Sequence, residues 1–323
     1  MKAVVVHEFG EPEVMRYEDV PDPVPRQGEV LVRVRAVGVN FADHLMRRGA
    51  YHNKQAPLIP GMELAGEVVA LDQDVSGLDV GQRVFGWTST GSYLELAAVP
   101  AAKLMPIPGH LSFDEAAAIP TVFSTVWMCL SVLARVQPGE RVLVHAAGSG
   151  VGTAAIQVAK ELGAWVLATA GSDWKLDRAR ELGADATINY QATEDLAAEI
   201  GRATDGGGVH VVLEGVGRAT FGASVQALVP MGRMVIYGSP SGARVELDTR
   251  HAIFKNLTLY GLAITQEPRT AQTISEFRAG CLPLFEERRL RPIIDRILPL
   301  DQAAEAHRVL LDRDQFGKLV LRP

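Results

Sequence analysis

Apolar and polar residues alternate in the first part of the chain, in short segments separated by glycine and proline. A period of two with frequent turn residues is typical of strands that bury one face. Such a series predicts a compact β-rich domain rather than a layered α/β domain, and we expect it to cover residues 1–120. The segments with this pattern are EVLVRVRAVGV, ELAGEVVAL, GQRVFGW and YLELAAV.

The pattern changes after Pro138, where apolar strands and amphipathic helices alternate. This alternation is the sequence form of a doubly wound parallel sheet, so an α/β domain is expected over residues 121–261. Gly163 and Gly183 stand where two helices must end before the next strand. The tail has two helical patterns and a last strand, and residues 262–323 are expected to return to the first domain.

Composition and charge exclude several classes of protein. The chain has 323 residues, 47% of them hydrophobic, which is enough for two domains with a core each. Its 32 basic and 38 acidic residues give a net charge of -6, with no basic block that could follow a phosphate backbone. Nucleic acid is therefore not expected as the main partner.

Cysteine usage and the N-terminal sequence bear on location. Cys129 and Cys281 are far apart in sequence, so they build neither a disulfide framework nor a cysteine-rich zinc lobe. The start, MKAVVVHEFG, is too short for the apolar part of a signal peptide, and no later apolar run approaches membrane length. We expect a reduced, soluble, cytoplasmic protein with no membrane partner.

A glycine-rich turn follows the strand RVLVH and opens a helix at once. A helix N-terminus with closely approaching backbone presents N–H groups and a positive dipole end to a diphosphate. The turn, HAAGSGVG, predicts a dinucleotide site that includes Ser149, Gly150 and Val151. Ala147 and Ser149 replace glycines of the usual pattern, and tight packing of the helix on the strand is the structural alternative.

The next strand ends in ATAGSDWK, where an acidic residue would bind the ribose of NADH. Ala170 stands at that position, while Ser172 and Lys175 are near enough to bind a 2'-phosphate. NADPH is therefore favoured as the cofactor. In the alternative interpretations, Asp173 is the missing acid or Lys175 is only a solvated helix residue, although Asp173 looks more like a helix N-cap.

Several motifs resemble the zinc-free branch of the medium-chain dehydrogenase/reductase superfamily that contains NADPH:quinone oxidoreductases and ζ-crystallin. The resemblance covers essentially the whole chain. It implies a Rossmann domain and a GroES-like catalytic domain made from both ends of the chain, with the active site in the cleft. The motifs are HAAGSGVG, GVNFADHLMRRGAY, PGMELAGEV, LGADATINY and FGKLVL.

Zinc alcohol dehydrogenases of the same superfamily carry a metal-binding cysteine and histidine at two positions that hold Asn40 and Met62 here. Neither side chain is a plausible zinc ligand in such a site. Without a Lewis acid to ionise an alcohol, alcohol oxidation is disfavoured. A quinone or an enone takes hydride readily, and its developing oxyanion needs only hydrogen bonds.

The resemblance also implies roles for individual residues. Asn40 and Tyr51 are the expected catalytic residues, placed to orient the acceptor and donate to its oxygen. In the alternative interpretations, Asn40 only holds a turn at the end of a strand and Tyr51 is a packed loop aromatic. Some quinone reductases have a tyrosine where this chain has Leu45, so a more apolar pocket is expected there. The remaining residues expected to bind the cofactor are Thr125, Gly238 and Ser239 near the nicotinamide, Gly171, Ser172, Lys175 and Tyr190 around the 2'-phosphate, and Lys318 near the cofactor edge.

Other ionisable residues are interpreted as structural. Asp43, Arg47 and Glu63 are expected to form an ion-paired scaffold. His145 ends a buried strand and is interpreted as a core residue with satisfied hydrogen bonds. The histidines at 44, 52 and 110 lack metal-type spacing, and no histidine receives a catalytic role.

The predicted function is NADPH-dependent reduction of quinones. The first alternative is reduction of an activated C=C bond in an alkenal, an alkenone or an enoyl thioester. The second is a crystallin-like protein that binds NADPH with little turnover. The resemblance further implies a homodimer, formed by edge pairing of the last Rossmann strand, LTLYGLA.

Overall fold

The computed structural model describes residues 1–51, 54–88, 91–240, 242–266 and 268–323. The chain forms two compact units: Met1–Thr121 with Arg291–Pro323 (unit 1), and Val122–Leu290 (unit 2).

The return to unit 1 comes later than the sequence predicts, because residues 262–290 group with unit 2. The side chains of this segment explain the difference. Phe285 packs edge-on against Phe123, with ring centroids 4.7 Å apart. A Cβ added to Gly280 would lie 2.3 Å from Trp127, so this glycine allows the two segments to approach closely.

The strands follow the predicted apolar segments closely. In chain order they are β1 (Lys2–Val6), β2 (Met15–Asp19), β3 (Glu29–Val39), β4 (Glu63–Leu71), β5 (Arg83–Trp87), β6 (Leu96–Pro100), β7 (Leu104–Pro106), β8 (Arg141–Val144), β9 (Trp165–Ala170), β10 (Ala186–Asn189), β11 (Val209–Glu214), β12 (Leu228–Ile236), β13 (Thr258–Gly261), β14 (Ile294–Pro299) and β15 (Lys318–Arg322).

The helices lie between these strands. They are α1 (Phe41–Arg47), α2 (Phe113–Ala117), α3 (Pro120–Trp127), α4 (Gly150–Glu161), α5 (Asp173–Glu181), α6 (Leu196–Ala203), α7 (Phe221–Ala227), α8 (Thr249–Lys255), α9 (Arg269–Glu276), α10 (Leu282–Glu286) and α11 (Ala303–Asp312). Two π-helical segments, Met128–Leu133 and Phe277–Cys281, continue α3 and α9. Neither was expected from the sequence.

Unit 1 is built on a seven-stranded sheet in the order β14-β15-β3-β4-β5-β7, with β6 paired to β3, and on a two-stranded sheet of β1 and β2. The last strand, β15, is antiparallel to β3 and parallel to β14. Alternate residues of β3, among them Val30, Val32 and Val34, are buried in the core. The end of the chain is therefore an integral part of the unit formed by its beginning.

Unit 2 contains one parallel sheet with the strand order β10-β9-β8-β11-β12-β13. Because β8 is flanked by β9 on one side and by β11 on the other, the strand order reverses there. Parallel sheets of this kind bind ligands at the carboxyl ends of their strands beside such a reversal. The predicted glycine turn lies at that place, directly after β8.

Candidate functional site

Asn40 links the end of β3 to the start of α1. It is the N-cap residue of the helix, and its backbone N–H donates to the Asp43 carboxylate over 2.8 Å. The Asp43 backbone N–H in turn donates to the Asn40 carbonyl oxygen over 3.0 Å. These contacts close the first turn of a short helix and fix the Asn40 backbone.

The Asn40 side chain, which is 7% exposed, lies between two buried charges. Its Nδ2 donates to Glu63 Oε1 over 2.7 Å and to the Gly38 carbonyl over 3.3 Å. Its Oδ1 accepts from Lys318 Nζ over 2.8 Å. Lys318 Nζ also lies 2.6 Å from Glu63 Oε1 and donates to the Val39 carbonyl over 2.7 Å.

The contacts of Glu63 agree with its expected role in an ion-paired scaffold. Its second oxygen accepts from the Thr121 backbone N–H over 2.7 Å, so both carboxylate oxygens are used. A Cβ on Gly38 would fall 2.3 Å from Glu63 Oε1, which explains why a glycine allows the carboxylate to reach Asn40. Lys318, expected near the cofactor, directs its three N–H donors into unit 1, and its cofactor role stays a prediction.

Asp43 links Asn40 to a second set of buried polar side chains, those of Tyr93 and His307. Its Oδ2 accepts from the Tyr93 hydroxyl over 3.3 Å, and the same hydroxyl lies 3.1 Å from His307 Nε2. Asp43 Oδ1 and His307 Nδ1 are buried with no hydrogen-bond partner. Burial raises the pKa of Asp43 to about 7, whereas the Asn40 N–H and the Lys318 charge act in the opposite direction.

Arg47 is held mainly by hydrogen bonds, with Glu11 as its ion-pair partner. Its guanidinium is buried and bonds to the Gly10 carbonyl and to His44 Nδ1, while the carboxylate of Glu11 is 3.9 Å away. Burial, reinforced by Arg47, lowers the pKa of His44 to about 4. Burial also lowers the pKa of His307 to about 3. Both histidines are therefore neutral near pH 7.

The other predicted residues of unit 1 lie near the same elements. Tyr51 is partly buried and follows α1, and Met62 is buried directly before β4. His52 lies outside the described residues. In the described part of the chain, no three residues among His, Cys, Asp and Glu form a group that could hold a metal ion.

The glycine turn of unit 2 begins α4 as predicted. Ser149 is the N-cap, and its hydroxyl accepts from the Gly152 N–H over 2.9 Å. Gly150 and Val151 occupy the first turn, where backbone N–H groups point out of the helix. Ala146 has a φ of 51°, and a Cβ on Gly152 would lie 2.3 Å from the Ala146 carbonyl oxygen. The turn is thus tight at both ends.

The residues predicted for a 2'-phosphate lie at the carboxyl ends of β9 and β10. A Cβ on Gly171 would come 2.9 Å from the Tyr190 hydroxyl oxygen, and one on Gly148 would come 2.8 Å from Lys175 Cδ. The Lys175 stem therefore lies against the glycine turn. Ser172 is the N-cap residue of α5, directly before its first turn.

The interpretation of Asp173 as the helix N-cap is wrong. The N-cap is Ser172, and Asp173 is the first residue of α5. Its Oδ1 accepts from Asn189 Nδ2 over 2.8 Å, which draws the carboxylate towards β10.

Three further predicted residues belong to unit 2 but lie on different elements. Thr125 is buried on α3. Gly238 and Ser239 follow β12, and the Ser239 carbonyl accepts from the Gly242 N–H over 2.9 Å. A Cβ on Gly238 would be 3.5 Å from the Gly215 carbonyl oxygen, so this segment passes close to the loop after β11.

His145 is a core residue, in agreement with its interpretation from the sequence. Its two ring nitrogens each lie 2.9 Å from a hydroxyl, that of Thr169 and that of Ser224. Burial lowers its pKa, although the nearby Glu214 carboxylate acts in the opposite direction. The imidazole is therefore a neutral bridge between β8, β9 and α7.

Glu214 was not identified from the sequence, although it ends the strand VHVVLE in a position comparable to that of Ala170 on β9. It is buried, and its Oε1 accepts from the backbone N–H groups of Val216 and Gly217, each over 2.9 Å. The Ser224 hydroxyl donates to Oε2, and the Thr220 hydroxyl lies within hydrogen-bond distance of both carboxylate oxygens. Four donors thus hold a buried carboxylate and the loop that follows it.

Two family models match the chain. One described as "Alcohol dehydrogenase GroES-like domain" matches residues 26–109, and one described as "Zinc-binding dehydrogenase" matches residues 150–279. Together with the sheets described above, they show that the chain combines a GroES-like domain with a Rossmann domain. This confirms the predicted fold class.

Full-length relatives narrow the class. A quinone oxidoreductase of Sus scrofa is 33% identical, covering 99% of this chain and 97% of the relative. The crystal structure of Escherichia coli quinone oxidoreductase complexed with NADPH has a TM-score of 0.93 and 30% identity over 100% of both chains. A crystal structure of an NAD-dependent alcohol dehydrogenase has a TM-score of 0.92 and 36% identity, also over 100% of both chains.

The chain belongs to the quinone oxidoreductase branch of the medium-chain dehydrogenase/reductase superfamily, as the sequence motifs predicted. It is thus a member of an oxidoreductase family. Within the described residues, no helix combines the length and the apolar character needed to cross a bilayer.

Proposed function

We propose that the protein is a zinc-independent, NADPH-dependent oxidoreductase that reduces quinones. Asn40 stands where zinc-dependent relatives have a cysteine ligand, and the observation that carries the proposal is the Lys318 ammonium beside it. A buried cation 2.8 Å from that side chain repels a second cation. The site favours an acceptor that is reduced with help from hydrogen bonds alone.

The residues of unit 2 fit a dinucleotide. Gly152 lets the first turn of α4 pack directly on the Ala146 backbone, that turn directs N–H groups outward, and the stem of Lys175 lies against the turn. Gly150 and Val151 would meet the diphosphate, and Lys175 with Tyr190 the 2'-phosphate. When bound, NADPH supplies a hydride from its nicotinamide.

Unit 1 supplies the groups that meet the acceptor. As hydride reaches a quinone, negative charge develops on its oxygen, and an N–H or O–H donor directed at that oxygen lowers the barrier. Asn40 and Tyr51 are the proposed donors. A proton from solvent completes the hydroquinone.

A panel of acceptors tests the reaction. Purified protein is mixed with NADPH and naphthoquinone, phenanthrenequinone, alkenals or enoyl thioesters, and NADPH absorbance is followed with and without a chelator. We expect loss of absorbance with the quinones, unchanged by chelation. Turnover with enals or thioesters alone would show that the protein reduces activated C=C bonds instead. Saturable binding of NADPH without turnover would indicate a crystallin-like role. Alcohol oxidation that is lost on chelation would indicate zinc chemistry.

The preference for NADPH is tested with Lys175→Ala. A charge-assisted bond to the 2'-phosphate is worth about 1.5–3 kcal/mol, so the Kd for NADPH should rise about ten- to a hundredfold. The Kd for NADH should hardly change, because NADH has no phosphate for this lysine to meet. Fluorescence titration of both dinucleotides measures the two constants.

Arg180→Ala is the matched control, since it removes a charge of the same sign from the far end of the same helix, where Arg180 pairs with Asp177. It should leave both constants near their native values. Equal affinity of the native chain for both dinucleotides, or an equal loss of both in Lys175→Ala, would make Lys175 a solvated helix residue and direct attention to Asp173.

We also propose a homodimer formed along β13. This strand ends the six-stranded sheet, and the preceding helix α8 exposes Ile253 and Phe254, which are 66% and 80% exposed. An unpaired strand edge beside exposed apolar side chains favours pairing with a second chain. Light scattering on the purified chain distinguishes dimer from monomer.

A further inference from the structure

The chemistry of its two charged neighbours determines which atoms of the Asn40 amide face them. A lysine ammonium has only donors and a glutamate carboxylate has only acceptors. The oxygen of Asn40 therefore has to face Lys318, and its nitrogen has to face Glu63. A flipped amide would set Nδ2 against Nζ and Oδ1 against the carboxylate, leaving buried polar atoms in repulsive contacts.

The two fixed contacts leave one donor for other use. Lys318 holds Oδ1 at 2.8 Å and Glu63 holds the first N–H of the amide at 2.7 Å. The second N–H makes only a 3.3 Å contact with the Gly38 carbonyl, which is long for a hydrogen bond. This N–H is the only polar hydrogen of the Asn40 side chain without a short partner.

We propose that Lys318 and Glu63 are positioning residues that hold Asn40 as a hydrogen-bond donor towards the carbonyl oxygen of the acceptor. The pair, called the clamp below, acts through Asn40 and touches neither acceptor nor cofactor. This inference rests on the proposed function, because it assigns the clamp to the reduction of a carbonyl-containing acceptor. It also replaces the expected contact between Lys318 and the cofactor.

The clamp can be removed without leaving a buried charge alone. Single removal of Lys318 would strand the Glu63 carboxylate, and such losses destabilise strongly. The double variant Glu63→Gln/Lys318→Met removes both charges together. We expect kcat/KM for the quinone to fall about tenfold or more, since a poorly oriented donor stabilises the oxyanion less, with the Kd for NADPH within about twofold of native.

A double-mutant cycle separates positioning from a general structural role. The clamp variant is combined with Asn40→Ala, and kcat/KM is measured for the four chains. If the clamp acts through Asn40, its removal has almost no further effect once Asn40 is alanine. Effects that multiply, or a rise in the Kd for NADPH that accounts for the lost activity, would overturn the inference.

If the double variant does not fold, Lys318→Arg is compared with Glu63→Gln/Lys318→Gln, which also leaves no buried charge alone. Arginine is also a donor-only cation and keeps the Asn40 oxygen facing it, whereas glutamine can both donate and accept. We expect Lys318→Arg to retain about tenfold more activity than Glu63→Gln/Lys318→Gln. Equal activities of the two variants would contradict a clamp in which a donor-only cation orients the Asn40 amide.

An NMR measurement needs no turnover. The Asn40 side-chain amide is assigned from the resonances that disappear in Asn40→Asp. In the native chain we expect one downfield, exchange-protected N–H proton, bonded to Glu63, which moves upfield in the clamp variant. An amide unchanged in that variant overturns the inference. A native chain with the expected amide but no reduction of quinones overturns the proposed function alone.

Discussion

A Gly152→Ala chain should bind NADPH about 30- to 100-fold more weakly than the native chain, which corresponds to about 2–3 kcal/mol. The added Cβ would lie 2.3 Å from the Ala146 carbonyl oxygen and 2.7 Å from Ala147 Cα. Both are backbone atoms, so the turn itself has to move. Because Ala146 already has a φ of 51°, it has little freedom to adjust. Fluorescence titration and thermal unfolding measure the two consequences, weaker binding and lower stability.

Gly222→Ala is the matched control for this change. Gly222 lies in helix α7, and a Cβ there would meet nothing within 4 Å. Alanine favours a helix by about 1 kcal/mol over glycine, so this variant should be slightly more stable and bind NADPH normally. Native NADPH affinity in Gly152→Ala would mean that the turn does not hold the diphosphate.

Asp43→Asn should change how stability depends on pH. The pKa of Asp43 is raised to about 7 by burial, so the native fold holds a proton there that the unfolded chain releases near pH 4. A raised pKa stabilises the fold fully below the unfolded value, and this contribution is lost as pH rises towards 7. The stability of the native chain relative to Asp43→Asn should therefore fall between pH 4 and 7, by up to about 1.4 kcal/mol per pH unit.

The comparison between the two chains isolates Asp43 from other groups. His44 and His307 have lowered pKa values, so their contribution to stability rises with pH over part of the same range. Both chains share these histidines, and the difference between the chains removes most of their effect. Denaturant unfolding at pH 5, 6, 7 and 8 measures the difference in stability between the chains. These pH values lie above the pKa of an unfolded aspartate and on both sides of the raised pKa of Asp43. A constant difference would show that the Asp43 carboxyl does not titrate in this range.

The sequence predicted the order of strands and helices in unit 2 well, because apolar residues recur at a different spacing in its strands than in its helices. The strands WVLATA and VHVVLE and the turn before α4 lie where the pattern puts them. The π-helical segments were missed, since an added residue in a helical turn leaves no signal in apolar spacing. The return at residue 291 was missed because packing of Phe285 on Phe123 joins distant segments.

Only those features of the site that depend on residues close together in sequence could be predicted. The turn at Ser149 caps its helix, and Gly171 and Tyr190 lie close together, while their role towards a 2'-phosphate stays a prediction. The contacts of Asn40 with Lys318 join residues 278 positions apart, and a single sequence gives no sign of such a pairing. Glu214 was missed for a related reason, since a lone acidic residue ending a strand is indistinguishable from a solvated one until its hydrogen bonds are known.

The place of β15 in the first sheet has a consequence for synthesis on the ribosome. Unit 2 is continuous in sequence and has all its residues once Leu290 has been added, whereas unit 1 lacks β14, α11 and β15 until the last residues follow. Lys318 arrives 255 residues after Glu63, so their buried ion pair cannot form until β15 has been added. Unit 1 is therefore completed only after unit 2, although most of its residues are translated before those of unit 2.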